Sequence, residues 1–99
     1  MNWNPSDHDC VRATGDAVAC EFGDGLALLN LRSNIYYSLN GVGAFIWELI
    51  QEPKSIADIR GAVLARYNVD AERCNADIDA LLKDLAENGL ARLQDEAFV

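Results

Sequence analysis

Residues 26–39 decide the fold; they read Leu-Ala-Leu-Leu-Asn-Leu-Arg-Ser-Asn-Ile-Tyr-Tyr-Ser-Leu. Residues 26–31 are almost continuously apolar, which is typical of a strand at the centre of a sheet. Arg32-Ser33-Asn34 predicts a tight turn, because Asn tolerates the left-handed backbone conformation that such turns need. Residues 35–39 then alternate, with Ile35, Tyr37 and Leu39 on one face and Tyr36 and Ser38 on the other. The stretch therefore predicts a β-hairpin.

A third strand precedes this hairpin. Residues 17–22 alternate between two faces, and Gly23-Asp24-Gly25 is a turn signal. Three strands joined by short turns predict an antiparallel meander with residues 26–31 in the centre. No strong strand pattern follows residue 39, so we expect residues 35–39 to form an exposed edge of the sheet.

Three helices are predicted after the sheet, and the first two have clear caps. Asn40 is a natural cap for a helix over residues 41–50, whose apolar face contains Phe45, Ile46 and Leu49. Pro53 ends that segment. Ser55-Ile56-Ala57-Asp58 matches a capping box, so it predicts the start of the second helix.

The third helix is predicted to run from a cap at Asp70 to Asn88. Gly89 is placed to adopt the left-handed conformation that ends a helix, with Leu90 packed back on Leu85. Three strands followed by three helices predict an α+β domain with a winged-helix-like architecture.

A chain of 99 residues is long enough for one domain. We expect residues 1–16 to form a flexible polar arm, residues 17–93 to form the domain with a short strand or coil at 91–93, and residues 94–99 to form a short tail. The amino-terminal residues lack the pattern of a signal peptide, and no apolar run is long enough to span a membrane. These features predict a soluble, cytoplasmic protein.

The formal net charge is −8, from 16 acidic and eight basic residues. Such a surface repels phosphate backbones and anionic membranes, whereas a basic peptide or protein is attracted. A role in solubility alone also accounts for this charge. The predicted third helix carries an excess of acidic residues, and a helix that enters a DNA groove needs the opposite charge.

The parts of an active site are not apparent. Cys10, Cys20 and Cys74 have no metal-binding or redox spacing, and His8 stands alone in the polar arm. Gly41-Val42-Gly43 lacks the third glycine of a dinucleotide-binding loop. We expect no catalytic residue, no metal and no cofactor.

An exposed strand edge binds extended peptides through backbone hydrogen bonds, so the predicted edge favours a peptide-binding module. Three alternatives stay open at this point. They are a winged-helix transcription factor, an enzyme that uses a thiol or a carboxylate, and a scaffold or dimerisation domain whose strand edge pairs with its own copy.

Five short segments in this order resemble the PqqD family. The resemblance extends over about residues 17–93, and its segments are Ile35-Tyr36-Tyr37-Ser38-Leu39-Asn40, Gly43-Ala44-Phe45-Ile46-Trp47, Ser55-Ile56-Ala57-Asp58-Ile59, Tyr67-Asn68-Val69-Asp70 and, in the last helix, Asp77-Ile78, Leu81-Leu82, Leu85 and Gly89-Leu90.

The resemblance implies a recognition element for ribosomally made, post-translationally modified peptides. Members of the family bind the leader segment of a precursor as an added strand, between the third strand and the third helix, and present the precursor to modifying enzymes. A free-standing copy is most similar to the recognition half of a split lasso-peptide system, in which a leader peptidase is the partner and a cyclase acts afterwards. Free-standing pyrroloquinoline quinone and radical-enzyme chaperones share the same core.

The resemblance also implies a set of peptide-binding residues. The strand 35–39, with Leu39 at its end, would supply the backbone of Tyr36, Tyr37 and Ser38. Asp77 and Asp84 would face basic side chains of the leader, although both also fit a solvated helix face. Apolar pockets between the strand and the helix would be lined by Ile35, Tyr37, Ile78, Leu81 and Leu85, although the helix positions also fit a purely structural role in the core.

Overall fold

A computed structural model of the protein describes residues 8–94. Its elements, in chain order, are β1 (Cys10–Ala13), β2 (Ala17–Phe22), β3 (Gly25–Asn30), β4 (Ile35–Leu39), α1 (Gly41–Leu49), β5 (Lys54–Ser55), α2 (Ile56–Arg66), α3 (Ala71–Glu87) and β6 (Ala91–Gln94). The predicted α+β class, with a three-stranded antiparallel sheet followed by three helices, is confirmed.

The predicted meander is present, in the order β2-β3-β4, so β3 is the central strand and β4 lies at an edge. Phe22 pairs with Gly25 across a two-residue turn in which Gly23 has a φ of 63°. Asn34 has a φ of 62°, so it adopts the left-handed conformation that the sequence predicted for the second turn.

A second antiparallel sheet, in the order β5-β1-β6, was not predicted. The expectation of a loose arm is wrong for residues 10–13, because β1 pairs with β5 and β6, and Val11 is fully buried. Both partners of β1, residues 54–55 and residues 91–94, are distant in the sequence, so no local sequence pattern indicates that residues 10–13 form a strand. Residues 1–7 of the predicted arm lie outside the described residues, as does the predicted tail beyond Gln94.

All three helices begin at the predicted caps. Asn40 Oδ1 accepts a hydrogen bond from the backbone N–H of Gly43 at 2.8 Å. The Ser55 hydroxyl accepts one from Asp58 N–H at 3.0 Å, and Asp70 Oδ2 accepts one from Arg73 N–H at 3.2 Å. Each cap satisfies a donor that the first helical turn leaves unpaired.

The end of α3 is a Schellman motif, as predicted. Gly89 has a φ of 71°, and its N–H donates to the carbonyl of Ala86 at 3.2 Å. Leu90 N–H donates to the carbonyl of Leu85 at 2.8 Å, and both leucine side chains are buried. This ending turns the chain directly into β6.

The core lies between the β2-β3-β4 sheet and the helices, and it is formed by the buried side chains of Leu28, Leu39, Ile46, Ile50, Ile56, Ile59, Val63, Ile78, Leu82, Leu85 and Leu90, among others. Asn30 is the one polar residue buried among them in the described part of the chain. Within residues 8–94, no helix has the length and apolarity needed to cross a bilayer.

Candidate functional site

The direction of the backbone groups in β4 follows from the register of the sheet. Because only two residues separate Phe22 from Gly25, this pair is hydrogen-bonded, and the N–H and C=O groups of Gly25 point toward β2. Backbone groups alternate along a strand, so those of Leu26 point toward its partner in β4, Leu39. The bond from Leu31 N–H to the carbonyl of Asp16, on the β2 side, obeys the same alternation.

It follows that Ile35, Tyr37 and Leu39 direct their backbone groups toward β3. Tyr36 and Ser38 direct theirs toward the open edge. Within residues 8–94, no strand pairs with that edge. The family resemblance implied that the backbone of all three residues 36–38 would bind the peptide. The register directs the backbone groups of only Tyr36 and Ser38 toward the edge, and these two residues are spaced as successive hydrogen-bonding positions of a strand are.

A groove of about 490 Å³ lies beside this edge, between β4 and α3. One wall is formed by Tyr37, Ser38 and Leu39, and the other by residues from the start of α3 as far as Leu81. On the α3 wall, Asp70, Arg73 and Asp77 are exposed, whereas Ile78 is almost fully buried and Leu81 is partly buried. The groove is therefore apolar in its depth and charged at its rim.

The floor of the groove comes from elements that sequence reasoning did not assign to the site. Val42 and Ile46 of α1 and Val63 of α2 lie beneath it, and Val69 and Cys74 close it near the start of α3. Cys74 carries a usable signal, because it precedes Ile78 by one helical turn and so lies on the same face of α3. Nothing in the local sequence brings Val63 to the site, because α2 reaches it only through packing.

Six of the ten predicted site residues line the groove, namely Tyr37, Ser38, Leu39, Asp77, Ile78 and Leu81. Ile35 and Tyr36 are exposed on β4 outside the groove. Asp84 lies one turn beyond Leu81 and accepts a hydrogen bond from the Tyr37 hydroxyl at 3.3 Å.

The prediction that Leu85 lines the apolar pockets is not supported by its position. Leu85 is fully buried in the core and is not among the residues that line the groove. It stands at the end of α3, where its carbonyl takes part in the Schellman motif. The groove follows α3 only as far as Leu81.

Two neutral groups of the groove are held in their protonated forms. Burial, together with the charge and the hydrogen bond of Asp84, raises the pKa of the Tyr37 hydroxyl. Burial and the nearby Asp77 raise the pKa of the Cys74 thiol. A raised pKa keeps the Cys74 thiol in its protonated form, which is less nucleophilic than a thiolate. In the described part of the chain, no group of His, Cys, Asp or Glu side chains is arranged to hold a metal ion.

The comparisons with known proteins agree with this geometry. The family model "Coenzyme PQQ synthesis protein D (PqqD)" matches residues 25–91. The chain belongs to the PqqD family. This confirms the resemblance that the sequence motifs indicated, and the matched span contains β4, the three helices and the whole groove.

Two solved structures resemble this PqqD-family chain over most of their length. TbiB1 in complex with the TbiA(beta) leader peptide is 31% identical, with a TM-score of 0.72, and the match covers 82% of this chain and 94% of that one. Lasso peptide synthetase B1 complexed with the leader peptide is 30% identical, with a TM-score of 0.70 and coverages of 83% and 96%. A search among curated proteins found no match.

Proposed function

We propose that this protein is a non-catalytic adaptor that captures the leader segment of a ribosomally made precursor peptide as an added strand on β4. The observation that carries the proposal is the open backbone edge at Tyr36 and Ser38, directly beside an apolar groove. Two solved relatives at 30% and 31% identity are themselves complexes with leader peptides, which supports the same ligand class here.

An added strand uses both features at once. Its backbone pairs with the N–H and C=O groups of Tyr36 and Ser38, which provides affinity without reading the sequence of the peptide. Alternate side chains of the strand point into the groove, where Val42 and Ile46 of α1 and Leu81 of α3 offer an apolar surface. Specificity for apolar anchor residues follows from this floor.

The rim of the groove favours a leader with basic side chains. We propose Asp77 as the principal contact for them, since it lines the groove and is exposed. Asp84 has a second role, because its carboxylate is engaged by the Tyr37 hydroxyl.

We propose that separate enzymes carry out the chemistry of maturation, a leader peptidase followed by a cyclase of the lasso-peptide type. The lasso-peptide type is supported by the name of one of the two solved relatives, lasso peptide synthetase B1. We also propose that the recognition domain begins at β1 and not at residue 17, because β1 holds both β5 and β6 in place. DNA binding is not favoured, since α3 carries five acidic and two basic residues.

The test is fluorescence-polarisation binding of a labelled leader peptide from the precursor encoded beside this protein. We expect saturable binding with a Kd on the order of micromolar or tighter. A proline at position 38 removes an N–H that faces the open edge but none that pairs with β3. Ser38→Pro should therefore weaken binding at least about tenfold, an amount consistent with the loss of a backbone hydrogen bond and the distortion around it.

The matched control is Ser38→Ala, which retains the N–H and should bind the leader about as well as the natural protein. Circular dichroism establishes that both variants are folded. Binding by Ser38→Pro that equals binding by Ser38→Ala would show that the leader does not pair with this edge. Failure of the natural protein to bind the leader would remove the adaptor function itself.

A further inference from the structure

Arg73 is the one basic residue among the described residues that line the groove between β4 and α3. It is exposed, and within residues 8–94 no salt bridge joins its guanidinium group to a carboxylate. It lies four residues before Asp77, to which the proposed function assigns the basic side chains of the leader. A groove that selected only basic side chains would be weakened by a cation at this place, because like charges repel.

The position of Arg73 is unfavourable for the helix that carries it. Asp70 caps α3 and accepts a hydrogen bond from the backbone N–H of Arg73, which is the third residue after the cap. The amino-terminal end of a helix has a partial positive charge that disfavours cations, and a capping box has Glu or Gln at this position. Natural proteins tend to break such local rules at functional sites. A ligand of the groove therefore explains Arg73 better than the stability of α3 does.

Two contacts show how β4 and α3 are oriented relative to each other. In the middle of β4, the Tyr37 hydroxyl donates to Asp84 of α3. Asn30, which pairs with Ile35 at the start of β4, donates to the carbonyl of Asn88 at the end of α3. The earlier position on the strand thus matches the later position on the helix, so the two elements run in opposite directions. The start of α3 therefore lies toward the end of β4.

The rise of α3 matches the spacing of side chains along an added strand. Arg73, Asp77 and Leu81 line the groove at intervals of four residues. A helix rises about 1.5 Å per residue, so neighbours in this series are about 6 Å apart along its axis. Side chains on one face of a strand repeat at every second residue, about 6.6–6.8 Å apart. A leader strand that lies along the groove therefore presents alternate side chains to these three residues in turn.

We propose that Arg73 is a specificity-determining residue that binds an acidic side chain of the leader, two positions along the strand from a basic side chain that faces Asp77. This proposal rests on the proposed function. The groove-facing side chains of the leader are then acidic, basic and apolar at every second position, from the end of β4 toward its start. A guanidinium group binds a carboxylate through two parallel hydrogen bonds, which gives the acidic position its selectivity.

The same pair of charges also fixes the register of the leader. A shift of the strand by two residues in one direction places the acidic leader residue opposite Asp77. A shift in the other direction places the basic leader residue opposite Arg73. Both shifts bring like charges together and lower the affinity, whereas the backbone hydrogen bonds to β4 do not distinguish between registers.

The experiment measures binding of the leader peptide from the precursor encoded beside this protein, by fluorescence polarisation at low salt. A leader that is recognised only through its basic side chains would bind Arg73→Glu more tightly than the natural protein, because this variant is more acidic. We expect Arg73→Glu to bind the leader about fivefold more weakly, since an attraction between exposed charges is replaced by a repulsion. The variant completes a capping box, so its Tm should equal or exceed that of the natural protein.

Lys83→Glu is the matched control, because it makes the same change in charge at an exposed position of α3 that does not line the groove. Its affinity for the leader should stay within about twofold of the natural value, as for a surface substitution away from the site. Equal losses of affinity in Lys83→Glu and Arg73→Glu would show a general effect of charge and would overturn the proposal.

A set of altered peptides identifies the leader residue that Arg73 binds. Each acidic residue of the leader is replaced in turn by lysine, and every peptide is titrated with the natural protein and with Arg73→Glu. We expect one peptide to bind the natural protein about fivefold more weakly and to recover most of that loss with Arg73→Glu, because the two charges are exchanged. The replaced residue should lie two positions from a basic residue.

Three further results would overturn the proposal. The first is an affinity of Arg73→Glu for the leader that equals or exceeds that of the natural protein. The second is a set of lysine peptides of which none recovers affinity with Arg73→Glu. The third is a leader that binds the natural protein but has no acidic residue two positions from a basic one. Absence of any leader binding to the natural protein is a distinct result, because it removes the proposed function and this proposal with it.

Discussion

The hydroxyl of Tyr37 donates a hydrogen bond to Oδ2 of Asp84 over 3.3 Å, and this contact joins the edge strand β4 to helix α3. Asp84 lies one helical turn beyond Leu81, the last α3 residue that lines the groove. The two walls of the groove are thus connected at one end by side chains, while the ring of Tyr37 lines the groove itself. Tyr37 therefore shapes the site in addition to lining it.

Replacement of Tyr37 should weaken leader binding more than replacement of its neighbour. Tyr37→Ala removes a wall of the groove and the link to α3, and we expect a loss of about 1–3 kcal/mol in binding free energy. Tyr36→Ala should cost less than about 0.5 kcal/mol, because its exposed ring lies on the face of the sheet away from the helices and its backbone groups are retained. Calorimetric titration with the leader measures both. Equal and negligible effects would remove Tyr37 from the site.

Neutralising the acidic residues of α3 should lower affinity for a basic leader. We expect Asp77→Asn to cost about 0.5–1 kcal/mol at low salt and to flatten the dependence of Kd on salt, because salt screens attractions between exposed charges beyond a Debye length of about 10 Å. Asp84→Asn should have a smaller effect on the salt dependence, since Asp84 lies outside the groove lining.

Glu87→Gln is the control for this series, because it removes the same charge from an exposed position at the end of α3. Fluorescence polarisation over a range of salt concentrations distinguishes the three variants. If the Asp77→Asn and Asp84→Asn double variant has the affinity and salt dependence of the natural protein, neither carboxylate contacts the leader.

Features that depend on neighbouring residues could be predicted from the sequence. The three helix caps, the left-handed turn at Asn34 and the Schellman ending each depend on a few consecutive side chains, and all are present. The central place of β3 followed from its continuous apolar run. The edge strand and the α3 wall of the site followed from these elements together with the family resemblance.

Features that depend on distant contacts could not be predicted. Strand β1 exists because it pairs with β6, about 80 residues later in the chain. Val63 reaches the groove floor only because α2 packs beneath it. Asn30 lies within the apolar run that predicts the central strand. Its side-chain amide is buried and joins the turn before β4 to the end of α3 by hydrogen bonds, which the sequence pattern does not indicate.

The cysteines should report occupancy of the groove. Cys20 is exposed and should react rapidly with iodoacetamide, whereas Cys74 is 7% exposed, with a pKa raised by burial and by Asp77, and should react slowly. At a leader concentration about ten times Kd, the free fraction falls to about a tenth, so the rate at Cys74 should fall about tenfold.

The rate at Cys20 serves as the internal control, because Cys20 lies on β2, away from the groove. Mass spectrometry of proteolytic fragments follows both sites in one sample. An unchanged alkylation rate at Cys74 in the presence of saturating leader would place the peptide outside the groove.

Asn30 should be the polar residue whose loss most disturbs the site. Its amide Nδ2 donates to the carbonyl of Asn88 at 2.7 Å, and its Oδ1 accepts from Arg32 N–H at 2.9 Å, so it holds the turn before β4 against the end of α3. Asn30→Ala leaves these groups without their partner, at a cost of about 2 kcal/mol in the free energy of unfolding. For a domain of this size, Tm should fall by roughly 8–16 °C.

A matched pair of variants separates stability from shape. Ser33→Ala lies in the same turn, is exposed and should leave Tm unchanged. Asn30→Asp retains an acceptor for Arg32 N–H but places a carboxylate oxygen against the Asn88 carbonyl, so it should destabilise the protein as Asn30→Ala does. Asn30 joins the turn before β4 to the end of α3, and β4 and α3 form the two walls of the groove, so leader affinity measured well below Tm should also decrease. A thermal melt of Asn30→Ala that matches the natural protein would show that this amide does not hold the walls together.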